Sequence, residues 1–239
     1  MITFVIARFN ENIDFVHEEM FVGNKIVIYN KGNEIEEGEL PDNVFVKKLE
    51  NVGKCDHTYL YHIIDQYQDL DDITCFMPAS WRTCGLKSFR LKKTIRCLNE
   101  TGKTSMVVYD ADTDRLASLY DFTLDSYKTG NLENFSLNQS NEMLISSIRP
   151  FGRWYEYYIG KSVPIRSDAM QGIFGVQKIH IWQRGIDFYK QLYNQVSTHN
   201  NPEVGHYLER SWSSIFQPLP TNCFYHIDRN TFQNLSPVE

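Results

Sequence analysis

The sequence predicts an α/β protein whose central sheet is mostly parallel, with helices on both faces. Short β-branched and aromatic runs recur through the first third of the chain, and segments with helical spacing separate them. The runs are continuously apolar instead of alternating, the pattern of strands covered on both faces. At 239 residues, 42% hydrophobic and 23% charged, the chain has enough material to bury a sizeable core.

Ile2-Thr3-Phe4-Val5-Ile6 is the first strand, and Asn10 to Met20, with Ile13, Phe15 and Val16 among acids, suits a short helix. Lys25-Ile26-Val27-Ile28-Tyr29 is the second strand, stopped by the turn residues Asn30, Lys31, Gly32 and Asn33. Asn43-Val44-Phe45-Val46 is a weaker third. His57 to Tyr67 carries Leu60, Ile63, Ile64 and Tyr67 at helical spacing. Ile73-Thr74-Cys75-Phe76-Met77 is the fourth strand, ended by Pro78.

Lys87 to Leu98 reads as a basic amphipathic helix on a solvated face, and Ser105 to Tyr109 as a further strand. Residues 121–147 read as loop or peripheral helix. Gly172 to Val176 is a strand or turn with glycine spacing, and Ile179 to Val196 a helix. Asn201-Pro202-Glu203 opens the last helix, with Asn201 as N-cap and Pro202 in the first helical position; it runs to about Phe216. The expected organisation is one domain over 1–218, with a nucleotide-binding half near 1–84 and an acceptor and catalytic half near 150–218. A tail or wrap-around segment follows over 219–239.

Composition excludes several functions. The net charge of −6 argues against a protein that covers nucleic-acid phosphates with Lys and Arg. No apolar run reaches the roughly 18–20 residues of a membrane span, and the apolar stretch before Arg8 is too short for a signal-peptide core. The expectation is a soluble cytoplasmic protein. Five cysteines without CxxC pairing predict free thiols. There is no P-loop, dinucleotide fingerprint or GxSxG elbow. The 33 aromatic residues suit a core, or flat faces for sugars and bases.

In an open parallel sheet the ligand lies outside the carboxyl ends of the strands. That rule selects the loops Ala7–Glu11, Tyr29–Asn33, Asn51–His57 and Pro78–Cys84. Within them, Gly53 and Lys54 stand near a helix N-terminus, which favours anions. Glu209 borders the apolar face of the last helix, one turn from Trp212; a partly desolvated carboxylate there suits general-base work, and a helix-face Glu paired with Arg is the alternative. Asp110-Ala111-Asp112 after an apolar strand is a DxD pattern that can hold Mg²⁺ or Mn²⁺, or simply an acidic turn extended by Asp114. Arg153, Trp154, Tyr155 and Tyr157 form a dense aromatic and basic stretch, either a stacking surface or a core segment.

Three stretches, Phe4 to Glu11, Val27 to Gly32, and Asn51-Val52-Gly53 with His57 to Ile64, resemble an uncharacterised family of fungal, bacterial and large-DNA-virus proteins. Gly172 to Val176 and Gly205-His206-Tyr207-Leu208-Glu209-Arg210-Ser211-Trp212 with Phe216 extend the likeness. That family looks like glycosyltransferases of the GT-A fold. The resemblance implies a nucleotide-diphosphate sugar donor, UDP-linked by preference, and an oligosaccharide or glycan acceptor. It implies no nucleic-acid partner, and the host cytoplasm for a viral source. Ala7, Arg8, Asn10, Tyr29 and Asn30 would line the nucleoside pocket; Asn51, Gly53 and Lys54 would approach ribose and diphosphate, with His57 beside them. Pro78-Ala79-Ser80 occupies the tip where such enzymes usually carry DxD. Its lack of a carboxylate implies metal-independent transfer, with Lys54, Arg8 or Arg153 offsetting the diphosphate charge.

Glu209 would be the base of an inverting displacement. Arg153, Trp154, Tyr155, His206 and Trp212 would meet the acceptor. Relatives tend to show Arg then Glu after Asn-Val-Gly, where this chain has Lys54 then Cys55, and Gln-Gly in place of Ala79-Ser80. Both changes fall where donor selectivity is set. Two other readings stay open at this point: a metal-dependent transferase or hydrolase on Asp110 and Asp112, and a non-catalytic nucleotide- or carbohydrate-binding protein.

Overall fold

The computed structural model describes residues 1–35, 40–109, 118–127, 142–163 and 170–227. Its main sheet has five strands in the order β3-β2-β1-β4-β6, with β1 Thr3–Arg8, β2 Lys25–Asn30, β3 Val44–Lys48, β4 Ile73–Pro78 and β6 Phe174–Gln177. β1 to β4 are parallel, and β6 runs antiparallel to β4. The mixed α/β architecture with a mostly parallel sheet is therefore as the sequence predicts.

β1, β2, β4 and β6 alternate their side chains between two buried faces, whereas the edge strand β3 is largely exposed. Val5, Val27, Tyr29, Phe76, Phe174 and Val176 face one layer, formed by α1 Lys54–Asp65, α3 Phe151–Tyr155, α5 Ile186–Asn194 and α6 Glu203–Ile215. Phe4, Ile6, Ile26, Ile28, Cys75 and Met77 face the other, formed by α2 Gly85–Thr101 with Phe15, Phe21 and Trp81. Burying both faces is what makes a continuous apolar run the right sequence for a strand.

Several elements differ from expectation. Asn10 to Met20 holds only a single 3-10 turn at Asp14–His17. α2 is amphipathic, but Leu91, Ile95 and Leu98 bury one face against the sheet, so only its Lys92 and Arg96 side is solvated. The predicted helix from Ile179 to Val196 is two helices, α4 Lys178–Ile181 and α5; the break falls at Gly185, which takes an extended conformation and caps α5. Pro202, not Asn201, is the N-cap of α6, and the Asn201 amide donates instead to the carbonyls of Tyr127 and Glu142 (3.2 and 3.4 Å). β5 Met106–Tyr109 leaves the main sheet and pairs in parallel with β7 Phe224–Ile227, so the segment after Pro218 is partly ordered by a strand. All five cysteines are free. Among the described residues no helix is long and apolar enough to cross a membrane.

Glu203 opens α6 fully buried, and its carboxylate is met by four donors. These are the backbone N–H of Leu124 (3.0 Å) and Ser146 (2.9 Å), Arg149 Nε (3.1 Å) and the Tyr207 hydroxyl (2.7 Å). It ties the loops at 122–127 and 142–149 to the helix that carries Glu209. Replacing Glu203 by Ala takes the acceptor from the Tyr207 hydroxyl and from two backbone N–H groups, while Arg149, which is partly exposed, keeps its bond to Asp125. We expect a loss of about 1–3 kcal/mol, read as a lower urea midpoint. An unchanged midpoint refutes the tie.

Candidate functional site

Connections fix where a site can form. β1 passes to β2 and β3 on one side, and the chain then returns to place β4 on β1's other side. The crevice between the carboxyl ends of β1 and β4 is the switch point of the sheet, and ligands of such sheets bind there.

Arg8, at the end of β1, donates from Nη1 to Asn30 Oδ1 (2.7 Å) and to the Asn33 carbonyl (3.0 Å), and from Nε to the Glu11 carbonyl (2.8 Å). Asn10 Oδ1 accepts the Asn33 N–H (2.6 Å). Arg8, Asn10 and Asn30 therefore come together at the ends of β1 and β2. Glu11 accepts the Phe9 N–H (2.5 Å); burial raises its carboxyl pKa against the pull of that bond and of Arg8 and Lys87. Lys87, in the first turn of α2, donates to Ser80 Oγ (3.1 Å) at the tip of β4. A cation thus stands beside Pro78-Ala79-Ser80, on the 3-10 turn that follows β4; Ala79 itself is buried.

The loop before α1 is held from below. Lys31 Nζ donates to the carbonyls of Val52 (2.6 Å) and Lys54, and burial lowers its pKa to about 7. Asn51 is half-buried at the start of this loop. Gly53 adopts φ +56°, and a Cβ there would overlap the carbonyl oxygen of Val196, so both conformation and space require glycine. Lys54 donates from Nζ to His206 Nε2 (3.2 Å) and lies 3.8 Å from the centre of the Tyr127 ring. Burial lowers the Lys54 pKa to about 8, opposed by Asp56, Cys55 and Glu209. His206 is driven to about 3 by burial, then by Lys54 and Arg210, and stays neutral at pH 7.

Two carboxylates approach from α1 and α6. Asp56 is 3% exposed and accepts the Trp212 indole N–H (2.7 Å). Burial, then the Glu209 charge, raises its pKa to about 7. Glu209 is half-buried, and its Oε1 accepts the backbone N–H of Gln171 (2.6 Å). The carboxylate that bonds Trp212 is Asp56, which no motif of the sequence marks; Glu209 is the less buried of the two, and among the described residues its hydrogen-bond partner is a backbone amide and not an arginine.

Other predicted site residues lie elsewhere. Tyr29 points into the core with its hydroxyl on His62 Nδ1 (3.0 Å), because strand alternation puts it on the same face as Val27. Ala7 shares that face. His57 stacks on Tyr193 and bonds its hydroxyl (3.0 Å), away from the Lys54 cluster. Trp154 and Tyr155 are buried against Phe151, with Trp154 donating to Gln195 Oε1 (2.8 Å); this is the core-segment alternative. Trp212 is fully buried. As they stand, none of these three aromatics offers a face to an acceptor. Arg153 is exposed. Asp110, Asp112 and Asp114 lie outside the described residues, and among those described no group of three or more His, Cys, Asp or Glu is placed to hold a metal.

Among the described residues only Asn10, Lys54 and Gln171 combine a side chain with φ in the left-handed region (57°, 52° and 71°). All three belong to this cluster. Such strain persists only where the surroundings over-determine it, and it concentrates at functional sites. No family model and no curated protein matches the chain.

The raised Asp56 carboxyl keeps a proton in the folded chain that the unfolded chain releases between about pH 4 and 7. Its contribution to stability therefore falls as pH rises through that window. Asp56→Asn removes the effect. The melting temperature of the variant should climb relative to wild type, by a few degrees, between pH 4 and 7. Parallel melting curves for the two proteins refute the assignment.

Proposed function

We propose that the chain is a glycosyltransferase that moves a sugar from a nucleotide-diphosphate donor, UDP-linked by preference, to a carbohydrate hydroxyl. The observation that carries this reading is the grouping, in a protein of net charge −6, of Arg8, Lys54 and Lys87 around the switch-point crevice, beside the half-buried carboxylate of Glu209. A diphosphate is the ligand that such a group of cations suits, and a carboxylate next to it suits deprotonation of a hydroxyl. The GT-A likeness of the sequence points to the same strand ends and to the same glutamate.

In this reading Arg8, Asn10 and Asn30 hold the nucleoside end. Lys54 and Lys87 offset the charge of the diphosphate, and Ser80 with Lys87 takes the position at which a DxD motif would hold a metal. Glu209 accepts the proton of the acceptor hydroxyl as its oxygen attacks C1. The C1–O bond to the diphosphate breaks with its electron pair leaving on the nucleotide, and the anomeric centre inverts. The Gln171 N–H fixes one carboxylate oxygen of Glu209, which leaves the other for the proton. Bringing donor and acceptor together supplies much of the acceleration.

Calorimetric titration with UDP and with GDP, each in Mn²⁺ and in EDTA, tests the donor site. Micromolar binding of UDP that survives EDTA is the expected result. Binding lost in EDTA shifts the reading toward a metal-dependent site, and no binding by either nucleotide overturns it. Where transfer is measured, Glu209→Gln should lower kcat about 10²–10⁴-fold and leave the nucleotide Kd unchanged.

A further inference from the structure

Gln171 combines three properties that are rare together. Its backbone sits at φ +71° with a side chain present. Its N–H is the donor that holds Glu209 Oε1 (2.6 Å). Its own side-chain Oε1 is enclosed and has no hydrogen-bond partner among the described residues. Each of the first two has a visible cause. The turn Met170–Gly172 is strapped on both sides, with the Tyr59 hydroxyl donating to the Gly172 carbonyl (2.8 Å) and Glu209 holding the Gln171 amide. A Cβ at Gly172 would come within 3.1 Å of Cys55 Sγ and 3.3 Å of the Tyr59 ring, so the turn is pressed against α1. The backbone is therefore forced. The orphaned amide oxygen has no such structural cause, and an enclosed acceptor without a donor is unfavourable.

From this juxtaposition we propose that Gln171 is an acceptor-binding residue, and that the acceptor is a polyol with two neighbouring hydroxyls, one giving its proton to Glu209 and the other donating to the Gln171 amide oxygen. The inference rests on the transferase reading and deepens it. Glu209 and Gln171 are already joined through the backbone amide, so groups that meet both side chains must be close on the acceptor. Adjacent hydroxyls on a sugar ring have that closeness. The residue is half-buried, and the proposal has its side chain turn about its torsions so that Oε1 leaves the enclosed position to meet the acceptor. The acceptor then supplies the missing donor. A site built to hydrogen-bond a hydroxyl discriminates strongly against a substrate that lacks it, because the site's own polar group is left unpaired.

Gln171→Met tests this, since it keeps the backbone N–H on Glu209 and the side-chain length while removing the amide. Gln171→Gly also keeps the N–H and relieves the strain, so it covers the case in which the methionine variant folds poorly. The probes are UDP-glucose, UDP-galactose and UDP-N-acetylglucosamine as donors, with methyl hexosides and their monodeoxy analogues as acceptors; UDP release is the readout.

Both variants should raise the acceptor KM at least tenfold and leave UDP affinity unchanged. The best acceptor's monodeoxy analogue lacking the neighbouring hydroxyl should be used equally by wild type and variants, the signature of a single coupled contact. An unchanged acceptor KM, or the same loss with the deoxy analogue, overturns the assignment while the transferase reading stands. A wild-type protein that binds no nucleotide and releases none overturns both.

Discussion

The position of β1 between β2 and β4 is the constraint from which the rest follows. Its six residues supply side chains to two different buried layers and hydrogen bonds to two parallel neighbours, in registers that place Arg8 beside Asn30 and Ala7 beside both Tyr29 and Pro78. Parallel neighbours need crossovers, and crossovers that diverge on either side of one strand leave a crevice at its end. Apart from Glu209 on α6, every charged group of the candidate site lies at a strand end around that crevice, on the loop that follows it or on the helix after it. The site is thus a consequence of strand order before it is a consequence of any single residue.

Placing four cations and three carboxylates near that crevice is unfavourable for the fold taken alone. Burial works against the charge of Lys31, Lys54, Asp56 and Glu11, and in each case it is the largest cause of the shifted pKa. Opposite charges offset part of this, as Asp56 does for Lys54 and Lys31. Lys31 is further compensated by two carbonyls, and Asp56 by an indole N–H. The three left-handed residues add local strain of about 1–3 kcal/mol each. A fold under selection for stability alone has cheaper solutions at every one of these positions. Their coincidence in one place is the physical argument that the place has a use.

Strand existence and order of elements were legible because they rest on local signals: continuous apolar runs, turn residues after Tyr29, Pro78 at a strand end. The loops selected by topology alone contain Arg8, Asn10, Asn30, Gly53, Lys54 and Ser80, which the fold does gather. What failed was orientation. Alternation puts Tyr29 with Val27, against the pocket position that the family likeness implies, and His57 is fixed by a partner far along the chain, Tyr193. The Arg153–Tyr157 stretch mixed both outcomes: Trp154 and Tyr155 pack inward on a short helix while Tyr157 stays 72% exposed. Asp56, Lys87 and Gln171 were missed for the same reason. The Asp56–Trp212 contact spans 156 positions, and a glutamine forced into a left-handed turn leaves no mark on composition or periodicity.

Two carboxylates at one site raise the question of which one would act in the proposed transfer, and burial separates them. Asp56 is enclosed, bonded to an indole, and pushed by burial and by its neighbour toward the protonated form. A group in that condition cannot meet a hydroxyl, but it can keep a negative charge from accumulating behind Glu209. In the proposed transfer the two carboxyls would differ in role. The push on Asp56 toward its protonated form lessens the negative charge behind Glu209, charge that would oppose a diphosphate, while Glu209 is the less buried of the two and has a carboxylate oxygen beyond the one held by Gln171.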